Sequence, residues 1–334
     1  MNAFTWFFTL AASLLACTNA FAWGAPGHQT VGSIADSLLV GTHAGKAVRR
    51  ILGAEKLRTA ALWADCAKGV TEQNPPLKYR VDPRFSECKP FETSAGKRQM
   101  VAFVTRNLNG CGRGPTDETC HRQYHYADVA IERNSYDRSE TGTSDHDIVS
   151  AIDAAIAVLR GGGSPPPIHF ASKREALRVL AHYVGDIHQP LHVGAVYLDR
   201  DGHEVDPDAG PFDPATRTQG GNKLLDQGRD FHTAVWDAIP DRLTVAKFSS
   251  GVSRARQVPV TAGPVEQWAA AWATDTVLAS RTAFSGLTFG PETPQGTWVV
   301  TEPDGYTAAR ESLQEDQLVK AGARLAQLLQ ALFP

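Results

Sequence analysis

Along most of this chain apolar residues recur at intervals of three and four, the period that gathers them on one face of an α-helix. Five long stretches carry it: Gln29 to Leu39, Ser94 to Leu108, Ser144 to Arg160, Val265 to Phe284 and Tyr306 to Phe333. A sixth helix is expected to open at Ser172-x-x-Glu175, a capping-box pattern, and to run on through ALRVLAHYVGD. The third stretch stops at Gly161-Gly162-Gly163, as a helix should. Trp63-Ala64-Asp65 reads as the end of a further helical stretch. Strict alternation is scarce, so few strands are expected. Thr71 to Thr93 and Tyr197 to Gly221 are rich in Pro, Gly and Asp and read as long loops. With no internal repeat and no low-complexity tail, the pattern predicts a single all-α, multi-helix domain.

The first 22 residues break the pattern. Phe4 to Ala16 is mostly apolar and no Asp, Glu, Lys or Arg precedes Trp23. The run is too short to span a bilayer comfortably and ends in Ala20-Phe21-Ala22, a small-x-small cleavage pattern. Residues 1–22 are therefore expected to be a signal peptide, cut between Ala22 and Trp23. That leaves a 23–334 domain, secreted or periplasmic, with no membrane insertion. Leu14-Leu15-Ala16-Cys17 offers a rival reading, a lipoprotein site at Cys17. Cleavage after Ala22 leaves Cys66, Cys88, Cys111 and Cys120, an even set that suggests two disulfides in an exported chain. Three pairings are open. With 334 residues and a net charge of −3, the chain lacks the basic balance of a protein held to nucleic acid by its backbone charge alone. Any such contact must be local. A monomer is expected.

The densest chemistry is HYVGDIHQPLH, residues 182 to 192. His182 and Asp186 are four apart and share a helix face. Pro190 is expected to end the helix, with His192 just beyond. Histidine and aspartate at this spacing, with another histidine after a break, is a metal-ligand pattern. His188 points elsewhere on the helix and reads as a supporting or surface residue. Trp268 and Trp272, also four apart, read as core. Weaker fragments flank this segment: Trp63-Ala64-Asp65, His125-Tyr126-Ala127-Asp128, Gly220-Gly221-Asn222, Phe231-His232 and Val235-Trp236-Asp237.

Taken in order from Trp23-x4-His28, these fragments resemble the zinc-dependent single-strand-specific nucleases of fungi, plants and bacteria. The tail AGARLAQLL is similar to that family's last helix, so the resemblance covers nearly all of residues 23–334. It implies an all-α fold of the phospholipase C/nuclease type holding three Zn2+ in a cleft. One zinc would take the amine and carbonyl of Trp23, with His28 and Asp186. A second would take Asp65, His125, His182 and the shared Asp186, and a third His192, His232 and Asp237. Zinc-activated hydroxide would attack phosphorus in line, releasing 5′-mononucleotides from single-stranded DNA and RNA, with 3′-nucleotidase activity alongside. Asp65 and Lys68 would be catalytic, Lys68 standing where the family commonly has an arginine. Tyr126 and Asp128 would stack on and hydrogen-bond the nucleobase, with Asn222 also on the substrate.

The match departs in three places. His232 and Asp237 are five apart where the relatives have four. In a regular helix five residues turn a side chain roughly 140° away. A π-bulge, which makes i and i+5 neighbours, or a helix start between the two is therefore expected. The alternative is a weak third site, or one using Asp230. The segment from Asn222 to His232 is short for the family's β-hairpin, and the Thr71–Cys120 insertion is longer than in fungal relatives. Competing functions are a trinuclear-zinc phospholipase C of the same superfamily and a zinc- or nucleotide-binding protein without catalysis. Tyr126, Asp128 and Gly220-Gly221-Asn222 favour the nuclease.

Overall fold

The computed structural model describes residues 23–71, 76–112 and 117–334. The expected signal peptide, its cleavage point and the rival site at Cys17 lie outside these residues. Among the described residues eleven α-helical segments follow in order: α1 (Ala25–Leu38), α2 (His43–Leu52), α3 (Leu57–Ala60), α4 (Trp63–Ala67), α5 (Ser94–Arg106), α6 (Cys120–Gln123), α7 (Ile148–Leu159), α8 (Lys173–Asp186), α9 (Gly251–Ala255), α10 (Trp268–Phe284) and α11 (Tyr306–Leu332). The architecture is all-α, as the periodicity predicts.

Helix α8 is the axis of the molecule. It packs against α7, α11, α3, α4, α1 and α2, and Glu175 to Asp186 are all buried. Its start follows the capping pattern: the Ser172 hydroxyl accepts from Glu175 N–H at 3.2 Å. The reciprocal bond is displaced by one residue, since Glu175 Oε1 accepts from Ala171 N–H at 2.9 Å and also pairs with Arg106. Other boundaries shift for local reasons. The helix read from Ser144 begins at Ile148, because Asp147 supplies the cap by accepting from Ser150 N–H. Trp63-Ala64-Asp65 begins α4 rather than ending a helix. Helix α8 stops at Asp186, four residues before Pro190, and Pro190–His192 forms a 3₁₀ turn of its own.

Close helix contact depends on small residues. A Cβ on Gly32 of α1 would lie 2.5 Å from Arg58 Cα at the start of α3, so the two backbones touch. Gly32→Ala is expected to cost about 1–3 kcal/mol through overpacking, read from urea unfolding with an unchanged m-value. An unchanged midpoint would show that α1 can move aside.

The strands are short: β1 (Val70–Thr71), β2 (Lys78–Tyr79), β3 (Val129–Ala130), β4 (Gly194–Ala195), β5 (Leu224–Asp226), β6 (Arg229–Asp230), β7 (Thr288–Phe289) and β8 (Trp298–Thr301). The last four form one sheet in the order β6-β5-β8-β7, with β5 and β8 parallel and the other pairs antiparallel. The hairpin that looked too short fits because its turn is only Gln227-Gly228, both at positive φ (49° and 79°), a turn whose twist suits a two-residue hairpin. The sheet covers a second apolar cluster that includes Leu191, Phe231, Trp236, Trp298 and Tyr306. Trp268 and Trp272 are buried in the main core.

The disulfides pair Cys66 with Cys88 and Cys111 with Cys120. The Thr71–Cys120 insertion is thus tied near both ends. Within it, Ser86–Phe91 is 3₁₀ helix inside the stretch read as loop, and Ser94–Arg106 is α5, the helix expected to open at Ser94. Among the described residues, no helix is long and apolar enough to cross a membrane.

Candidate metal centre

Five histidines and three aspartates, scattered over more than 200 residues, converge beside the C-terminal end of α8. His182 and Asp186 lie one turn apart on α8. His28 comes from the end of the first turn of α1, Asp65 from α4, and His125 from the turn after α6. Gly185 permits the approach of α1, since a Cβ there would sit 2.8 Å from His28 Nδ1.

Asp186 is the hub. One oxygen faces His28 Nε2 at 3.1 Å; the other faces His125 Nδ1 at 3.0 Å and His182 Nε2 at 3.1 Å. Asp65 Oδ1 lies 3.6 Å from His182 Nε2 and 3.9 Å from His125 Nδ1. The rings of His28 and His182 stack with centroids 3.8 Å apart. The two expected sites therefore merge into one compact group, in which Asp65 and His182 also approach His28. Trp23 is buried beside it, its indole N–H donating to Gly185 C=O at 2.9 Å.

The second group is His192, His232 and Asp237. His232 lies in a π-helical turn, Phe231–Trp236, and Asp237 N–H donates to His232 C=O at 3.0 Å. This i→i+5 bond brings the fifth residue round to the histidine's side, with His232 Nε2 and Asp237 Oδ1 3.5 Å apart. Asp230 does not join them; its carboxylate caps the turn by accepting from Thr233 N–H at 2.8 Å.

The donor set fits a metal. His182 Nδ1 donates to Ala61 C=O at 2.5 Å and His192 Nδ1 to His125 C=O at 2.9 Å, which leaves each Nε2 as a lone-pair donor. His192 Nε2 and Asp237 Oδ2 are buried without a hydrogen bond among the described residues, and a cation would satisfy both. Burial lowers His192 to about 4, and burial with the neighbouring His192 holds His232 well below the imidazole range, so both rings are neutral at pH 7. Burial pushes Asp237 well above the carboxylate range, so its anion lacks a positive partner. Burial would also raise Asp186 and Asp65. His182 and His28 override it at Asp186, which is held well below the usual range; Lys68, His182 and His125 override it at Asp65, which falls to about 2.

Both groups open on a cleft of about 570 Å³. Lys68, Tyr126, Asp128 and Asn222 line it, as does Arg217. Lys68 is buried with Nζ 2.8 Å from Asp65 Oδ1. Gly220, at φ 56°, lies so close to Leu191 C=O that any side chain would collide (2.2 Å from Cβ), and this fixes the turn that carries Asn222.

His188 is buried rather than at the surface, and it does not join either group. Its Nδ1 donates to Val184 C=O and its Nε2 accepts from Arg324. Sequence reasoning missed Gln189, whose amide N–H₂ reaches His232 Nε2 at 3.0 Å and Asp237 Oδ1 at 2.9 Å. It also missed Arg217, which pairs with Asp117 at 2.8 Å across the cleft rim. No spacing marks either residue.

A family model described as S1/P1 Nuclease matches residues 23–334. Curated proteins offer no match to the chain.

Proposed function

The chain belongs to the S1/P1 nuclease family, and from that premise we propose that it is a secreted, monomeric phosphodiesterase that uses three zinc ions to hydrolyse single-stranded DNA and RNA. The products would be 5′-mononucleotides, with 3′-nucleotidase activity at the same centre. The observation that carries this reading is the Asp186 carboxylate, shared among three buried imidazoles, one of which, His125, lines the cleft. His28, Asp65, His125, His182 and Asp186 would hold two of the ions, joined by the amine and carbonyl of Trp23 once the leader is cut between Ala22 and Trp23. His192, His232 and Asp237 would hold the third. Zinc in these places would make water a nucleophile at neutral pH and offset charge on the scissile phosphate.

The chain's own groups do the rest. Lys68 Nζ, kept in place by Asp65, offers a positive charge to a non-bridging phosphate oxygen. As a lysine it binds as a point charge, without the two-pronged grip of an arginine. Tyr126 offers an aromatic face on the cleft wall, and Asp128 beside it accepts hydrogen bonds from a base edge. A base must leave its duplex stack to reach them, which is the physical source of a single-strand preference.

Tyr126→Ala is expected to raise KM for denatured DNA by roughly 5- to 150-fold, since a base stacked on one ring is worth about 1–3 kcal/mol. Turnover should change far less. An equal fall in kcat would place Tyr126 in the chemical step instead. Burial lifts Asp128 to about 6, so its acceptor anion is present above that pH and lost below it. KM for nucleic acid should therefore rise as pH falls through 6, and Asp128→Asn should flatten that rise.

The defining assay offers heat-denatured DNA, RNA and phosphatidylcholine to the protein beginning at Trp23, zinc-loaded, with and without chelator. Chelator-sensitive release of 5′-mononucleotides supports the reading. Release of diacylglycerol without nucleotides overturns it in favour of a phospholipase.

A further inference from the structure

Helix α11 crosses behind the π-turn that presents His232 and Asp237, and one side chain on it is out of keeping with its surroundings. Gln314 is completely buried. Its amide N–H₂ donates to Trp236 C=O at 2.8 Å and to Ala238 C=O at 3.2 Å, the two carbonyls that flank Asp237. The carbonyl of Asp237 itself accepts from Gly24 N–H at 2.9 Å. Three consecutive carbonyls are therefore held from outside the turn, two of them by Gln314.

The need for such a hold follows from the turn. Carbonyls in the last turn of a helix lack intrahelical donors, and a π-turn closes its ring one residue later than an α-turn, a geometry that does not extend here beyond a single turn. Trp236 is also pinned, its indole N–H donating to Tyr306 OH at 3.0 Å. That contact fixes the ring; the peptide units on either side of Asp237 are fixed by Gln314. Its Oε1 makes no hydrogen bond among the described residues, so the amide has no second role that explains its burial.

We propose that Gln314 is a positioning residue for the reaction: by holding the peptide groups on both sides of Asp237, it keeps that carboxylate turned toward His232 and so completes the third metal site. This rests on the trinuclear reading above. Residues outside the ligand shell that orient ligands typically change metal affinity or activity by 10–100-fold when replaced.

Gln317 is the internal control. It lies three residues further along α11, is equally buried, and neither of its amide atoms has a hydrogen-bond partner among the described residues. Gln314→Met keeps length and volume but removes the donor; Gln314→Glu keeps the shape and places an oxygen where the donor was; Gln317→Met tests the loss of a buried amide alone. Each protein, beginning at Trp23, is equilibrated at one buffered free-zinc concentration. Native mass spectrometry counts bound zinc, circular dichroism reports helix content, and kcat and KM are measured on denatured DNA.

The expected result is three zinc ions on the wild type and on Gln317→Met, but two on Gln314→Met and Gln314→Glu with helix content unchanged. At that zinc concentration kcat should fall 10–100-fold, and added zinc should restore much of it. Three ions and a kcat within about threefold of wild type on either Gln314 variant would overturn the proposal. So would loss of all ions together with helix content, or an equal defect in Gln317→Met. A wild type that binds fewer than three ions would instead refute the trinuclear reading.

Discussion

Asp186→Ala is expected to lower turnover on denatured DNA by on the order of 10³-fold or more, beyond the 10–100-fold range of groups that only support a ligand. The carboxylate contacts His28, His125 and His182 at 3.0–3.1 Å from two different sides, so no neighbour can take its place. Zinc content should fall together with turnover. The stability effect has a definite pH window. Burial works to raise the Asp186 carboxyl, but the surrounding imidazoles hold it well below the ordinary range. A depressed carboxyl stabilises the fold above its unfolded value of about 3.9, and that contribution is lost as pH falls toward the folded value. The variant should thus be less stable than wild type at pH 7, with the gap closing in acid. Unchanged turnover and zinc content would refute the role of Asp186 as the shared ligand.

Asp237→Ala should cost about 10²–10³-fold in kcat, the scale set by removing one group that stabilises charge developing in the transition state. Deletion of Ala234 gives the opposite expectation. A π-turn is an α-turn with one residue added. Removing that residue converts the i→i+5 relation of His232 and Asp237 into the i→i+4 relation of a regular helix, in which the two still share a face. The deletion variant should therefore keep three zinc ions and a kcat within about tenfold of wild type. An inactive deletion variant beside a mildly affected Asp237→Ala would reverse the assignment of this turn.

How much of this could be read beforehand depended on the range of the signal. His182 and Asp186 were legible because a helix imposes their spacing locally. The π-turn was legible for the same reason: five residues between two groups that must meet is a local misfit with few local solutions. The four-stranded sheet was not. Its strands are two to four residues long, too short for alternation to show, and β5 pairs in parallel with β8, more than 70 residues away. Disulfide pairing was open on spacing alone and is fixed by where α4 and α5 bring the insertion. Gln189 and Gln314 could not be found, because what distinguishes them is a partner that only the fold supplies. His188 was set apart from the ligand candidates by its place on the helix, but burial was not legible: it is held in the core by Arg324, whose guanidinium also pairs with Asp275.

Cys66 follows Asp65 directly, and Cys120 precedes His125 by five residues. Each disulfide is thus a clasp beside one of the groups that converge on Asp186. Such clasps close in oxidising compartments and stay open in the cytosol. An enzyme that degrades RNA is a hazard to the cell that makes it. For the exported RNA-cleaving enzyme proposed above, the compartment itself would set the order of events: the chain would be least braced where the cell's own messages are being read, and fastened only after it had left them behind.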